Sequence, residues 1–512
     1  MNLPRWLARL SAASVVLLCL GLAEVMSGRQ PPGVAPALPP AASYREDRIL
    51  VKPKAGMDPH VLAASHARHG AEVMRAFPRM GGLQVLSVPK GTPIESLIAE
   101  YARSGLVEFA EPDFIGHTAA TTPNDPGYTN GTLWGLNNYG QNGGTTNADI
   151  DAPEAWDVLT SASNIVVAVL DTGVRYTHED LAANMWVNPN DGSHGWNALA
   201  GNNDPSDDSF TGHGTLVAGV LGAVGNNGKG VVGVAWQVQI MACKCFNSMR
   251  NGSVSDVITC IDYAQTNGAR IINASWGFGT NYFGTNIVVL LALSNAIYSA
   301  RSDGIMLVAA AGNSTTDIDL TPTYPQCYGL DNVVTVAYTT RNDVLAAPSN
   351  YGVTNVHLAA PGEEIYSTWA PMDNSYSMGS GSSFAAPYVT GALALMLAKY
   401  PTNSYQEIIS RLLSATDPLP SLAGKCVTGG RLNLRKALSP PITLTALAPS
   451  GPFFQLRLSG GPIRTCVIQM STNLFTWSPV FTNTTSTDGT FIFTDTKSTN
   501  SLQRSYRAMS EP

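Results

Sequence analysis

The chain has 512 residues, of which 44% are hydrophobic and only 13% charged, with a formal net charge of −7. An average soluble domain carries about 25% charged residues, so this is a lightly charged chain with enough apolar matter for more than one core. It has no basic patch and no nucleic-acid-binding motif, which argues against nucleic acid as a partner.

In chain order, the first feature is an export signal over residues 1–28. Arg5 and Arg9 precede the apolar run LSAASVVLLCLGLA at 10–23, which has the positive flank and short core of a secretory signal and is too short for stable membrane insertion. Cys19 follows Leu18 where a lipoprotein signal would want a small residue, so lipidation is not expected. Residues 29–43 form a Pro/Ala-rich linker that cannot build a core. Export would place Cys243, Cys245, Cys260, Cys327, Cys426 and Cys466 in an oxidising compartment that allows disulfides, with the pairing open. CKCF at 243–246 is not zinc-like, because no second ligand pair stands at finger spacing.

Residues 44–118 read as a compact unit. RILVKPK, LQVLSVP and VEFAEPDFI are expected strands, and PHVLAASHARHG and PIESLIAEYARSG expected helices, an order that suggests a small α+β domain of the ferredoxin-like kind. The main body at 119–440 contains the nearly continuous apolar runs NIVVAVLD, VQIMACKCF, ARIINASWG, GIMLVAAAGN and NVVTVAY. Such runs fit strands buried on both faces. Helical stretches alternate with them (GTLVAGVLGAV, VSDVITCIDYAQTNG, IVVLLALSNAIYSARSDG), so an α/β fold with a doubly wound parallel sheet is expected. Residues 445–512 alternate polar and apolar with no helix, which predicts a small all-β module.

In open α/β sheets, sites gather at the carboxyl ends of strands and the N-termini of helices. The stretch GSGSSFAAP at 379–387 precedes a helix with almost no polar face. Its serines are either caps or include a nucleophile. Three other places qualify: Asp171 at the end of NIVVAVLD, His213 opening an apolar helix in TGHGTLVAG, and Asn313 after GIMLVAAAG. No histidine follows Ser383, which excludes the nucleophile-elbow hydrolases, whose acid and histidine come after the serine. His357 lies in the apolar VHLAAPG and reads as a core residue, while His178 and His194 lie in polar loops. His213 is the best-placed base.

With the order Asp171, His213, Asn313, Ser383, the segments VAVLDTGV, GHGTLVAG, AAAGN and GSSFAAP resemble the subtilisin-like serine proteases. The resemblance spans about residues 44–440, because the 44–118 unit is similar to the inhibitory pro-segment of that family. It implies a secreted, monomeric, autoprocessed serine endopeptidase acting on proteins and peptides, with its own propeptide as intramolecular inhibitor. Ser383 would be the nucleophile, His213 the base and Asp171 its orienter, with Asn313 and the Ser383 N–H binding the oxyanion. Ser382 stands where the family usually has Thr, and Leu216 where it often has His. Pro387 is expected in the first helical turn, where a proline is tolerated.

The resemblance further implies that substrates pair as a strand with the backbone of Ser275, Trp276 and Gly277. Ala310, Ala311 and Gly312 would wall the pocket for the residue before the scissile bond, with Thr323 near its base. None is charged, so apolar or aromatic residues are expected there. Likeness to the thermitase-like branch implies a calcium site made by Asp125, Asp180 and Asn227 with carbonyls of Val224, Lys229 and Val231, an all-oxygen set that suits Ca²⁺. Asp204, Asp207 and Asp208 in NNDPSDD could hold a second ion but read rather as an exposed acidic loop. The competing function is a catalytically silent secreted surface or binding protein on the same scaffold. The β tail is expected either to attach the enzyme to a polymer or cell surface or to stabilise it.

Overall fold

The computed structural model describes residues 44–89, 91–114, 121–279 and 290–440, and in the C-terminal part 442–447, 453–460, 465–486, 489–497 and 503–510. The expected signal and linker lie outside the described residues. The chain divides into two compact units, one ending at residue 119 and the other beginning at 120.

The first unit contains β1 (Tyr44–Pro53), β2 (Val73–Phe77), β3 (Leu83–Ser87) and β4 (Val107–Phe114), with helices Pro59–Arg68 and Ile94–Arg103. The strands form one antiparallel sheet in the order β2-β3-β1-β4. Asp58 caps the first helix by accepting from His60 N at 2.8 Å. Leu97, Ile98 and Tyr101 of the second helix bury against Ile49, Val51 and Leu86 of the sheet. Strand β2 is an addition to the sequence reading. VMRAF shows no inward-outward alternation, because four of its five residues are exposed, and it is held by pairing with β3. With it the order becomes βαββαβ, the full ferredoxin-like pattern.

The second unit is built on a sheet of nine strands: β5 (Ser161–Asp171), β6 (Gly195–Asn197), β7 (Gln237–Lys244), β8 (Ile271–Ala274), β10 (Met306–Ala310), β12 (Val333–Thr339), β13 (Leu358–Pro361), β16 (Thr416–Pro418) and β17 (Gly430–Leu432). Their order is β16-β17-β13-β12-β10-β8-β5-β7-β6, parallel except for the β16 edge, which runs antiparallel to β17. Helices cover both faces, as a parallel sheet requires. Val167 and Val169 face one core, shared with the helices His213–Gly222 and Ser382–Lys399. Ala168 and Leu170 face the other, shared with the helices Val254–Thr266 and Leu291–Ser302. The short strands β9 (Phe278–Gly279) and β11 (Thr323–Tyr324) pair with each other, as do β14 (Ile365–Trp369) and β15 (Ser375–Gly379).

The tail begins with β18 (Thr443–Ala446), slightly before the expected start, and continues through β19 (Phe454–Ser459), β20 (Thr465–Ser471), β21 (Ser478–Thr484), β22 (Thr490–Asp495) and β23 (Ser505–Ser510). It forms two three-stranded sheets around Leu456, Leu458, Cys466, Ile468 and Phe493. Cys243, Cys245, Cys260, Cys327 and Cys426 remain thiols packed among apolar side chains. Among the described residues, no helix is long and apolar enough to cross a membrane.

Candidate active site

Strand β5 delivers Asp171 to the carboxyl edge of the sheet, where the residue is 2% exposed. Its backbone carbonyl accepts Cys245 N and Phe246 N from the end of β7, at 3.0 and 3.2 Å. Its Oδ1 accepts from Thr172 N at 2.8 Å and meets His213 Nδ1 at 2.7 Å, while Oδ2 is buried with no described partner. His213 is the first residue of its helix, after Gly212 in the left-handed region at φ +59°. A side chain at Gly214 would place its Cβ 2.1 Å from Gly173 O and 3.0 Å from the Asp171 Cβ, so a glycine is what lets helix and strand approach closely enough for the pair to form.

Burial acts to lower the His213 pKa, but the charge of Asp171 and the hydrogen bond to it act the other way. The net position is above the ordinary imidazole value. Arg250 opposes this and Asp207 supports it. The other expected histidine placements hold in part. His357 Nδ1 accepts Thr335 N at 2.9 Å, and His194 Nδ1 lies 2.9 Å from the Trp186 carbonyl. His178, though in a loop, is fully buried, with Nε2 2.8 Å from the Ser375 carbonyl.

Ser383 stands in the first turn of the helix Ser382–Lys399, where its N–H has no intrahelical partner. The adjacent Phe384 ring packs edge-on to His213, with centroids 6.2 Å apart, so the helix turn that carries Ser383 lies against the imidazole. In this structure Ser383 Oγ donates to the Ser275 carbonyl at 3.2 Å. Asn313 Oδ1 accepts both Ser382 N at 2.8 Å and Ser382 Oγ at 3.0 Å. That pairing turns the amide so that Nδ2 lies beside Gly381, where an added Cβ would come within 2.9 Å. Ser382 Oγ in turn accepts Gly312 N at 2.9 Å. Ser382 is therefore the clamp that orients Asn313, a role its sequence position did not disclose.

Ser275, Trp276 and Gly277 leave the carboxyl end of β8, and Ala310, Ala311 and Gly312 that of β10, the neighbouring strand. Gln326 ties the two segments together, donating to the carbonyls of Trp276 at 3.0 Å and Ala310 at 2.7 Å. Asn350 braces the Asn313 turn, its Nδ2 donating to Ala311 O at 2.9 Å and its Oδ1 accepting Ser314 N at 2.9 Å. Thr323 pairs with Gly279 across β11 and β9, and its hydroxyl is buried with no described partner. No charged side chain belongs to this set.

Two sequence expectations need correction. Asp207 is not an exposed loop residue but is buried, with Oδ2 accepting Thr215 N at 3.1 Å and Thr215 Oγ1 at 2.7 Å. It satisfies first-turn donors of the His213 helix. Asp208 pairs with the buried Lys244 at 2.6 Å, and Asp204 accepts from Tyr176 OH at 3.3 Å. Pro387 lies in the second turn of its helix rather than the first, so the carbonyl four residues back loses its usual donor.

Of the expected calcium residues, Asp125, Asp180 and Asn227 are linked to one another by hydrogen bonds, whereas Val224, Lys229 and Val231 meet this group through their N–H groups rather than their carbonyls. Asp125 and Asp180 are both fully buried, and among the described residues neither has an ion pair. Asp125 accepts Asn226 N at 2.7 Å and Asn227 N at 3.2 Å, and Asp180 accepts Asn227 Nδ2 at 2.8 Å and Val231 N at 2.9 Å. Val224 N donates to the Asp180 carbonyl at 2.8 Å, and Lys229 N to Asn227 Oδ1 at 2.9 Å. Burial, and then the charge of Asp180, push the Asp125 carboxyl above its ordinary value. Two buried, mutually repelling carboxylates without a counter-cation fit a divalent ion.

An Asp–His pair at the edge of a parallel sheet, beside a serine in the first turn of a helix, is the arrangement of a serine hydrolase class. Comparison narrows it. Residues 162–435 match the subtilase family, peptidase S8, and residues 30–113 match the fervidolysin N-terminal prodomain. The chain is 34% identical over 397 residues to a thermophilic serine proteinase of Bacillus sp. (strain AK1), covering 78% of this chain and 88% of that one. It is 33% identical over 317 residues to thermitase of Thermoactinomyces vulgaris, covering 62% of this chain and 99% of that one. A solved protease structure from Pseudoalteromonas arctica aligns at 32% identity, covering 62% of this chain and 99% of its own, with a TM-score of 0.47. The chain belongs to the subtilase family: it is a subtilisin-like serine endopeptidase with an N-terminal prodomain.

Proposed function

We propose that peptide bonds are cleaved through a triad of Asp171, His213 and Ser383, and that the 44–118 unit inhibits the enzyme until the chain cuts itself. The observation that carries this reading is the 2.7 Å contact of His213 Nδ1 with Asp171, which leaves Nε2 as the nitrogen free to act as the base. For the reaction, Ser383 Oγ leaves the Ser275 carbonyl and gives its proton to His213 Nε2 as it bonds to the substrate carbonyl carbon. Negative charge moves to the substrate oxygen, where Asn313 Nδ2 and Ser383 N are the donors. The imidazolium, held by Asp171, then protonates the leaving amine. Water repeats the sequence on the acyl-enzyme and regenerates Ser383.

The uncharged set from Ser275 to Thr323 supports a preference for apolar or aromatic residues before the scissile bond. Calcium, when bound by Asp125, Asp180 and Asn227 with the Val224, Lys229 and Val231 carbonyls, would neutralise buried carboxylates and stabilise the fold. Secretion through the residue 1–28 signal completes the proposal, with the enzyme acting as a monomer and the β tail either attaching it to a surface or polymer or stabilising it. The test is a peptide panel varied at the residue before the cut. Purified enzyme should favour Phe and Leu over Lys, and the Ser383→Ala variant should cleave none. A preference for Lys would overturn the specificity, and hydrolysis by the variant would overturn the mechanism.

A further inference from the structure

The displaced proline has a consequence for the nucleophile. Pro387 has no N–H, and its helical acceptor would be the Ser383 carbonyl. That carbonyl is filled from the neighbouring strand instead: Ser275 Oγ donates to it at 2.9 Å. Behind Ser275 the donors run in one direction. Asn273 Nδ2 donates to Ser275 Oγ at 2.9 Å, and Thr390 Oγ1 lies 2.7 Å from Asn273 Oδ1. Both Asn273 and Thr390 are fully buried.

The direction matters because an amide offers an acceptor at one end and donors at the other. Only when Oδ1 faces Thr390 does Nδ2 face Ser275, and only then is the Ser275 proton free for the Ser383 carbonyl. The Thr390 proton has a second acceptor in reach, the Ala386 carbonyl at 3.1 Å, but the Asn273 contact is shorter. Ser383 Oγ also donates back to Ser275 O at 3.2 Å, so residues 275 and 383 are joined twice.

We propose that Thr390 and Asn273 are positioning residues for catalysis: through Ser275 they satisfy the carbonyl that Pro387 leaves open and so hold the backbone of Ser383 in register with the end of β8. The inference rests on the reading of Ser383 as nucleophile. Loss of the Thr390 hydroxyl leaves Asn273 Oδ1 buried without its donor and lets the amide turn over, which loosens Ser383 relative to His213 and Asn313.

The experiment compares Thr390→Val, which keeps the shape and removes the donor, with Thr390→Ser, which keeps the donor. Rates are measured on full-length-expressed, matured enzyme and normalised to the fraction titrated by a fluorophosphonate. Thr390→Val should lower kcat about tenfold with KM within about twofold, and Thr390→Ser should recover kcat to within about twofold of wild type. A Thr390→Val enzyme with wild-type kcat, or a Thr390→Ser enzyme as slow as Thr390→Val, overturns the proposal. Should Thr390→Val yield no soluble enzyme, Asn273→Asp, which removes the donor to Ser275, must show the same loss in kcat; an unchanged kcat overturns the proposal equally. A wild type that resists the fluorophosphonate refutes the nucleophile assignment itself, whereas a wild type labelled at Ser383 alongside an unaffected Thr390→Val enzyme refutes only the positioning role.

Discussion

His213 Nδ1 and Asp171 Oδ1 lie 2.7 Å apart at the junction of a buried strand and the first residue of an apolar helix. With His213 as the proposed base, the pair should couple activity and stability to pH in opposite directions. Because His213 holds its proton more tightly in the folded chain than its ordinary value, the stability it contributes is complete below the unfolded pKa and is lost as pH rises through the folded one. Catalysis needs the neutral imidazole. Hydrolysis should therefore rise with pH through a pKa above the ordinary imidazole value, while this contribution to thermal stability declines over the same interval. A pH–rate profile of kcat/KM checks it: a rate that stays flat to pH values where only carboxylates titrate would reject His213 as the base.

Asn313 is expected to act on the transition state alone. Asn313→Ala should reduce kcat about a hundred- to a thousandfold with little change in KM. The variant also frees Ser382, whose N and Oγ both bond Asn313, so a modest loss of thermal stability should accompany it. Steady-state kinetics separate the two effects, and a rise in KM at constant kcat would assign Asn313 to substrate binding instead.

With calcium held at the buried Asp125 and Asp180, as proposed, stability should depend on the cation. At a calcium concentration a hundredfold above Kd, binding to the native state adds about 2.7 kcal/mol. Chelation should lower the inactivation temperature and speed self-digestion, and Asp125→Ala should remove most of that sensitivity. Equal melting temperatures with and without chelator would exclude the site.

Maturation should depend on the same serine. The wild-type chain exported from a host without extracellular proteases should lose its N-terminal unit by a cut between His117 and Asn124. The Ser383→Ala chain should retain it. N-terminal sequencing of both products decides: identical trimming would mean that another protease does the processing.

What was legible in the sequence follows from how local each signal is. NIVVAVLD and GIMLVAAAGN announce strands covered on both faces, and the glycines around His213 and Ser383 mark close backbone approach. VMRAF did not register because its pairing with β3, rather than any apolar face, makes it a strand. Asp207 looked like one of several loop carboxylates, since its partner Thr215 belongs to the helix that follows. The support of Ser383 was least accessible of all. Thr390 and Asn273 are separated by 117 positions, and neither residue type signals anything until the strand and helix are laid side by side.

The central claim is that Ser383 is the activated nucleophile of this endopeptidase. The most direct measurement is reaction of the matured enzyme with a fluorophosphonate, followed by mass-spectrometric mapping of the adduct. Ser383 sits among other hydroxyls, with Ser382, Ser275 and Ser380 close in sequence or space, so the mapping discriminates. The account predicts one adduct per chain on Ser383, loss of hydrolysis in proportion to labelling, and slower labelling in Asp171→Asn. An adduct on another serine, or full activity after Ser383 is modified, would contradict it.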